Sequence, residues 1–303
     1  MINYLLTVIG PTAIGKTALS IKLAQHFKTE IISCDSRQFF KEMSIGTAVP
    51  SAEELAATPH HFIQNISIFE PYSVGQFEKD ALKKLDELFL KNNIVVMVGG
   101  SGLYTNAVLE GFDDFPEIDP EIREKLNKQI ENGELKILQN QLKELDPESY
   151  NSIEIENPHR LIRALEICIG TGKPYSSFKN KDKTKRNFIP IKIGLTAKRE
   201  TMYRRINRRV DLILQEGLLE EAKKLYPHKE LNALQTVGYR ELFDYFDGKC
   251  TLEFAIEEIK KNTRRFAKRQ VTWNKKDESI LWFDFETNPS EIIKKIETQI
   301  HLD

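Results

Sequence analysis

Residues 10–17, Gly10-Pro11-Thr12-Ala13-Ile14-Gly15-Lys16-Thr17, match the pattern G-x-x-x-x-G-K-[ST] in full. No other stretch restricts the fold as much, because this pattern works only where a buried strand ends and a helix begins. Both neighbours are present: Tyr4 to Ile9 is an apolar run of strand length, and Leu19, Leu23, Ala24 and Phe27 keep helical spacing after it. Glycines at 10 and 15 let the backbone curl around an oxyanion. Several N–H groups and the positive end of the helix then point at that anion, Lys16 adds a point charge, and the Thr17 hydroxyl can hold Mg²⁺. The loop does not say which phosphorylated molecule it holds. Taken alone it suggests an ATP-dependent phosphotransferase, in which a separate strand-end Asp would hold the metal's water shell.

Further short apolar runs follow at Ile31–Ile32, Ile94–Val98, Ile191–Leu195 and Ile280–Phe283, with an amphipathic helix between the first two on Phe77, Ala81, Leu82, Leu85, Leu88 and Phe89. Strands alternating with helices predict an α/β fold, a parallel sheet covered on both faces. With the phosphate loop it is a P-loop NTPase-like sheet with flanking helices. From Asp113 to about Asn187 the strand signal vanishes. Ile122, Leu126 and Ile130, then Leu161, Leu165 and Ile169, predict an inserted helical domain over 113–187, dividing the core into 1–112 and 188–303. Its exit, Lys179 to Arg186, is almost wholly charged and reads as a mobile cationic surface loop. His60-His61 reads as a loop pair. Long amphipathic helices fill the chain from Arg199 to Trp273.

Composition narrows the function classes. Of 303 residues, 40% are hydrophobic and 29% charged, and 44 Lys and Arg nearly cancel 45 Asp and Glu, which excludes disorder and fibre. No apolar run approaches the ~20 residues of a membrane span. The first residues lead into a buried-strand pattern rather than a signal peptide, and Cys34, Cys168 and Cys250 lie too far apart for a disulfide framework or thiolate metal site. A cytoplasmic location is expected. The near-neutral total hides a local imbalance: residues 157–211 hold fifteen Lys and Arg against four acids, and residues 259–276 hold eight with none. Such concentration fits a surface facing a polyanion, and equally fits two solvated helix faces.

Asp35 is the best carboxylate for the site. It follows Ile31-Ile32-Ser33-Cys34, so in a parallel sheet it should stand beside the first strand's loop, as a metal partner or a general base. Ser36 and Gln38 beside it favour a site lining over a surface cap. Cys34 reads as a small buried residue, and the six histidines show no zinc spacing.

The assembled residues resemble a known family. Gly10 to Thr17, Asp35-Ser36-Arg37-Gln38, Ile45-Gly46-Thr47-Ala48 and Gly99-Gly100-Ser101-Gly102-Leu103-Tyr104 are similar to motifs of the bacterial tRNA dimethylallyltransferases. So are Asn157-Pro158-His159-Arg160-Leu161-Ile162-Arg163-Ala164-Leu165-Glu166, Val237-Gly238-Tyr239-Arg240 and Ala267-Lys268-Arg269-Gln270-Val271-Thr272-Trp273. A kinase would share the first motif and not the rest. The resemblance implies transfer of a dimethylallyl group from its diphosphate to N6 of the adenine immediately 3′ of the anticodon, in tRNAs reading codons that begin with U. The loop would then hold a diphosphate leaving group, with Mg²⁺ on Thr17 and an arginine, Arg209 more than Arg205, sharing its charge. Asp35 would take the proton of an adenine extruded from its stack. By the same resemblance Asp35, Ser36, Arg37 and Gln38 meet the base and Ser101 touches the tRNA. His159, Arg160, Leu161, Ile162 and Arg163 grip the anticodon loop, while Arg123 and the loop at 179–186 add phosphate contacts. Val237, Gly238, Tyr239 and Arg240 offer a stacking ring and a cation, with a core tyrosine and a structural arginine as the alternatives. The cations of residues 260–269 recur at helical spacing along one stripe suited to RNA. The chain is expected to act as a monomer, on the tRNA anticodon stem-loop and dimethylallyl diphosphate, away from membranes. A noncatalytic nucleotide-switched RNA-binding module is the third reading.

Two departures stand out. Ile14 replaces a small residue, and Val49 stands where a lysine is common, so a cation near the substrates is missing. Arg37 could supply a compensating charge.

Overall fold

A computed structural model describes residues 2–113, 115–179 and 185–300. The chain divides into two compact units, Met1–Leu109 with Arg186–Asp303, and Glu110–Lys185. The first unit contains strands β1 (Tyr4–Ile9), β2 (Ile31–Ser33), β3 (His60–His61), β4 (Ile94–Val98), β5 (Ile189–Thr196) and β6 (Leu281–Asp284). In chain order the helices are α1 (Lys16–Phe27), α2 (Ala52–Ala57), α3 (Val74–Phe89) and α4 (Gly102–Glu110). Then come α5 (Pro120–Glu131), α6 (Leu135–Leu145), α7 (Pro147–Ser152) and α8 (Pro158–Thr171), followed by α9 (Arg199–Gln215), α10 (Leu218–Leu225), α11 (Tyr239–Phe246), α12 (Leu252–Asn274) and α13 (Pro289–Ile300).

The six strands form one sheet in the order β3-β2-β4-β1-β5-β6, every pairing parallel. The continuous apolar runs follow from burial on both faces. Alternate residues Leu6, Val8, Val96 and Val98 pack with Leu19 and Leu23 of α1 and Ile292 and Ile296 of α13, while Leu5, Val95 and Met97 pack with Phe77, Ala81 and Leu85 of α3. His60-His61 corrects the loop reading: the pair forms the edge strand, in register with Ile31 and Ile32. Two histidines carry no apolar signal because an edge strand has a single neighbour and both rings are only half-buried. A helical cluster of the first unit gathers Val210, Leu218, Ala222, Leu242, Phe243 and Ile259 around Met43 and Tyr239.

The second unit is helical, α5 to α8 around Leu126, Leu138, Leu142, Leu161 and Leu165. It begins at Glu110 and ends at Lys185. Within the expected cationic loop, Asn180 to Thr184 lie outside the described residues. Arg186 does not fit the mobile-loop reading. Its guanidinium pairs with Glu78 at 2.6 Å and donates to the Ala107 carbonyl at 2.8 Å, and only 11% of the side chain is exposed.

Candidate active site

Three strands deliver loops to one edge of the sheet. β1 ends in the phosphate loop, β2 leads to Asp35 and β4 ends at Gly99-Gly100. The structure differs from expectation in one respect, since β4 lies between β1 and β2 and Asp35 is one strand removed from the phosphate loop. Asp35 still lines that loop's cavity, and the intervening strand ends in two glycines packed tightly against their neighbours. A Cβ on Gly99 would sit 2.4 Å from Cys34 Sγ, and one on Gly100 would sit 2.5 Å from Gln270 Nε2.

The loop is held from several sides. Gly10 has φ +143°, and a Cβ there would meet the Leu195 carbonyl oxygen at 2.6 Å, so only glycine passes this strand end. Ala13 is left-handed at φ 62°, and its carbonyl accepts from Arg205 Nε at 2.8 Å. Gly15 begins α1 with no side-chain cap and no acid in the first turn, leaving the positive helix end to a ligand. Lys16 Nζ donates to the Pro11 carbonyl at 2.9 Å. Burial pulls its ammonium down to about 8, Asp35 holds it up in part, and Arg209 pushes it further down. Burial likewise disfavours the charge of Arg209, with Asp35 opposing. Lys16 and Arg209 thus place two buried cations at the loop, with Asp35 as their carboxylate neighbour.

Two cavities open here. One, of about 980 Å³, is lined by residues 12–18, Val49 and Arg205, Arg208 and Arg209. The other, of about 540 Å³, is lined by residues 35–37, 100–104, Phe266, Arg269 and Trp273. Thr12, Ala13, Asp35, Thr47, Arg209 and Ile213 line both. The phosphate cradle and a second, partly aromatic chamber therefore adjoin at Asp35.

The other expected residues separate into groups. Gln38 lines the cradle and donates to the Thr47 and Ala48 carbonyls at 3.2 and 3.0 Å. Ser101 Oγ accepts from the Ser36 N–H at 3.2 Å and lies 3.1 Å from its hydroxyl. Val237, Gly238 and Arg240 line the second chamber. In the second unit His159 and Arg160 are exposed, Arg163 pairs with Glu166 at 2.6 Å, and Arg123 lies 3.5 Å from that carboxylate.

Four expectations are corrected. Tyr239 cannot stack on a base: it is 0% exposed, donates to Glu221 Oε1 at 2.6 Å and packs under Gly46. Leu161 and Ile162 are core residues of the second unit, at 0% and 3% exposure, and present nothing to a tRNA. Arg37 does not stand in for the cation missing at Val49, because it lines the second chamber and not the phosphate cradle, with Nη1 donating to the Asn232 and Ala233 carbonyls at 3.0 and 2.9 Å. The stripe on α12 is narrower than its charge suggests, since Lys260 is paired with Asp211 at 2.9 Å and Lys261 with Glu258 at 2.7 Å. Arg265, Lys268 and Arg269 remain exposed.

Glu221 escaped the sequence reading, and Gln270 entered it only as a member of the Ala267 to Trp273 motif, with no role of its own. Glu221 takes the N–H groups of Ser44 and Ile45 at 3.0 and 2.9 Å and that of Gly46 at 2.9 Å, fixing the loop that carries Thr47. Gln270 accepts from Thr12 N–H at 2.9 Å. No spacing rule marks either, because each acts on backbone distant in sequence.

A divalent ion fits this donor set in one way. Among the described residues no three His, Cys, Asp or Glu side chains converge as a metal site. Thr17 lines the cradle, so its hydroxyl and the oxygens of a bound diphosphate would be the ligands.

A family profile described as IPP transferase matches residues 38–277. The chain belongs to the IPP transferase family. Among its relatives, a tRNA dimethylallyltransferase of Flavobacterium psychrophilum is 64% identical over 98% of this chain and 99% of that one. A tRNA dimethylallyltransferase 1 of Bacteroides fragilis is 47% identical over 98% of each. The full-length tRNA isopentenylpyrophosphate transferase of Bacillus halodurans superposes with a TM-score of 0.72 at 38% identity, covering 99% of this chain and 96% of that one. A eukaryotic dimethylallyltransferase acting on tRNA superposes at 0.82 with 28% identity, covering 98% and 79%. The sheet of this IPP transferase family member is P-loop NTPase-like, and these full-length likenesses do not favour an ATP-dependent small-molecule kinase. No helix among its described residues is long and apolar enough to cross a membrane.

Proposed function

We propose that the protein moves a dimethylallyl group from dimethylallyl diphosphate to N6 of the adenine immediately 3′ of a tRNA anticodon. The observation that carries this reading is the position of Asp35, on the wall of both cavities. Any group transfer needs a donor site and an acceptor site meeting at a proton acceptor, and here the acceptor chamber is lined by Tyr104, Phe266 and Trp273, rings suited to an unstacked base.

The chemistry follows from the residues. Diphosphate occupies the cradle, bound by the uncapped end of α1, Lys16 and Arg209. The extruded adenine occupies the second chamber, where Phe266 and Trp273 offer rings and Arg269 a cation. A bond forms between N6 and the allylic carbon as the bond from that carbon to the diphosphate oxygen breaks. The electron pair leaves with the diphosphate and the N6 proton passes to Asp35. Mg²⁺ at Thr17, when bound, neutralises charge on the departing diphosphate. Arg209, lining both cavities, sits where that charge develops. Exposed residues of the second unit, His159 and Arg160, the latter also 3.3 Å from Glu154, contact RNA phosphates and position the tRNA without reading sequence. The protein works in the cytoplasm and as a monomer.

The test is incubation with unmodified tRNA, labelled dimethylallyl diphosphate and Mg²⁺. Label on the RNA at an N6-substituted adenine is expected. RNA that stays unlabelled, with ATP turned over instead, would return the kinase reading.

A further inference from the structure

Gln270 lies on α12, 7% exposed, and uses both ends of its amide. Oε1 accepts from Thr12 N–H at 2.9 Å, and Nε2 donates to the Gly100 carbonyl at 2.8 Å. The orientation is unambiguous, because a backbone N–H can only donate and a carbonyl can only accept. One side chain thus spans from the phosphate loop of β1 to the glycine turn of β4, the two loops that enclose the junction of the cavities. Asp35 stands beside the same turn. A Cβ on Gly100 would lie 2.5 Å from Gln270 Nε2 and 3.7 Å from Asp35 Oδ2. Thr12 and Asp35 each line both cavities, so the width of the opening between them depends on where these loops are held. The bridge also withdraws Thr12 N–H from the ligand, leaving anion binding to the N–H groups that follow it in the loop.

We infer that Gln270 is a positioning residue of the transfer reaction, a clamp that sets the separation of the phosphate loop from the Gly99-Gly100 turn and so the reach from the allylic carbon to the amine and Asp35. The inference rests on the prenyl-transfer reading. It assigns Gln270 no contact with the reacting atoms. Its effect comes through the two backbone groups that it holds.

Near-attack geometry is sensitive to displacements of an ångström, so losing the clamp should act on turnover rather than binding. Two variants test this. Gln270→Met keeps the length and removes both hydrogen bonds. Gln270→Glu keeps the shape and the acceptor, removes the donor and places a second carboxylate beside Asp35. In steady-state assays with tRNA and dimethylallyl diphosphate, kcat should fall about ten- to a hundredfold in both. The KM for tRNA and the affinity for the anticodon stem-loop should change less than about threefold, and the melting midpoint should stay within about 3 °C. Wild-type protein in the same assay separates the two claims. If the wild type fails to label RNA, the prenyl-transfer reading falls. If it labels RNA and either folded variant keeps wild-type kcat, or loses kcat only in proportion to tRNA affinity, Gln270 is not a positioning residue.

Discussion

At the scale of single residues the site turns on two charges. Asp35 borders both cavities, and Asp35→Asn preserves its volume while discarding the base. Turnover should drop by at least about a hundredfold, with the affinity for the anticodon stem-loop retained in a gel-shift titration. An active Asn variant would leave the proton without its acceptor. Lys16 gives a pH signature. Its ammonium, held near 8 by burial, is charged below that pH and loses its proton above it, whereas a bound anion favours the charged form. Affinity for inorganic pyrophosphate should therefore hold steady below the transition and weaken above it by up to about tenfold per pH unit. The control, Lys16→Arg, keeps its charge and should remove that component. Calorimetry on both proteins decides, and parallel pH curves would contradict the assignment. Asp35 and Lys16 were legible from sequence because their neighbours are local: a strand before each, glycines or polar residues after. The bridge made by Gln270 was not, since its partners, Thr12 and Gly100, meet it only in the folded chain.

At the scale of elements the loop at 44–48 shows how helices outside the sheet shape the site. Glu221 of α10 accepts three successive backbone N–H groups there and the Tyr239 hydroxyl, and Gln38 holds the carbonyls of Thr47 and Ala48. Burial and the Glu221 carboxylate push the Tyr239 phenol up, so it remains a donor throughout the working pH range. Tyr239→Phe should lower stability by about 1.5–3 kcal/mol, the worth of a hydrogen bond to a charged group, as read by urea denaturation. Its tRNA affinity should stay within about twofold, whereas loss of a base-stacking ring would cost about 1–3 kcal/mol of binding. Gly46 belongs to the same lock: a Cβ there would meet the Tyr239 ring at 2.6 Å. A pattern reading sees Tyr239 as a ring near a basic residue. Only packing shows that Arg240 next to it faces solvent while Tyr239 does not.

At the scale of the whole molecule, the charge imbalance read from sequence has to be discounted by pairing. Lys260 is held by Asp211 and Glu257, and Lys261 by Glu258, so they release few counterions on RNA binding. The exposed Arg265, Lys268 and Arg269 carry the effective field. The logarithm of tRNA affinity should fall linearly with log salt concentration. Arg269→Ala and Lys268→Ala should each flatten that slope by about 0.7–0.9, the value of one phosphate contact, and Lys260→Ala should leave it nearly unchanged. Equal slopes in all three variants would show that pairing on the protein does not govern the field. The acids that pair with Lys260 and Lys261 come from α9 and from the preceding turn of α12, and residues 259–276 contain none of them.

What the sequence by itself determined is whatever depends on neighbours within a few positions. The phosphate loop between β1 and α1, the continuous apolar strands buried on both faces, the helical insertion and the carboxylate after β2 all rest on such local spacing. The tertiary structure alone decided the strand order that sets β4 between Asp35 and the phosphate loop, the close packing of Gly99 on Cys34 and of Gly100 on Gln270, and the edge strand at His60-His61. It also decided which cations and rings face outward. Burial and backbone-to-side-chain hydrogen bonds between remote segments leave no periodic trace in a chain, because the partner can come from anywhere along it.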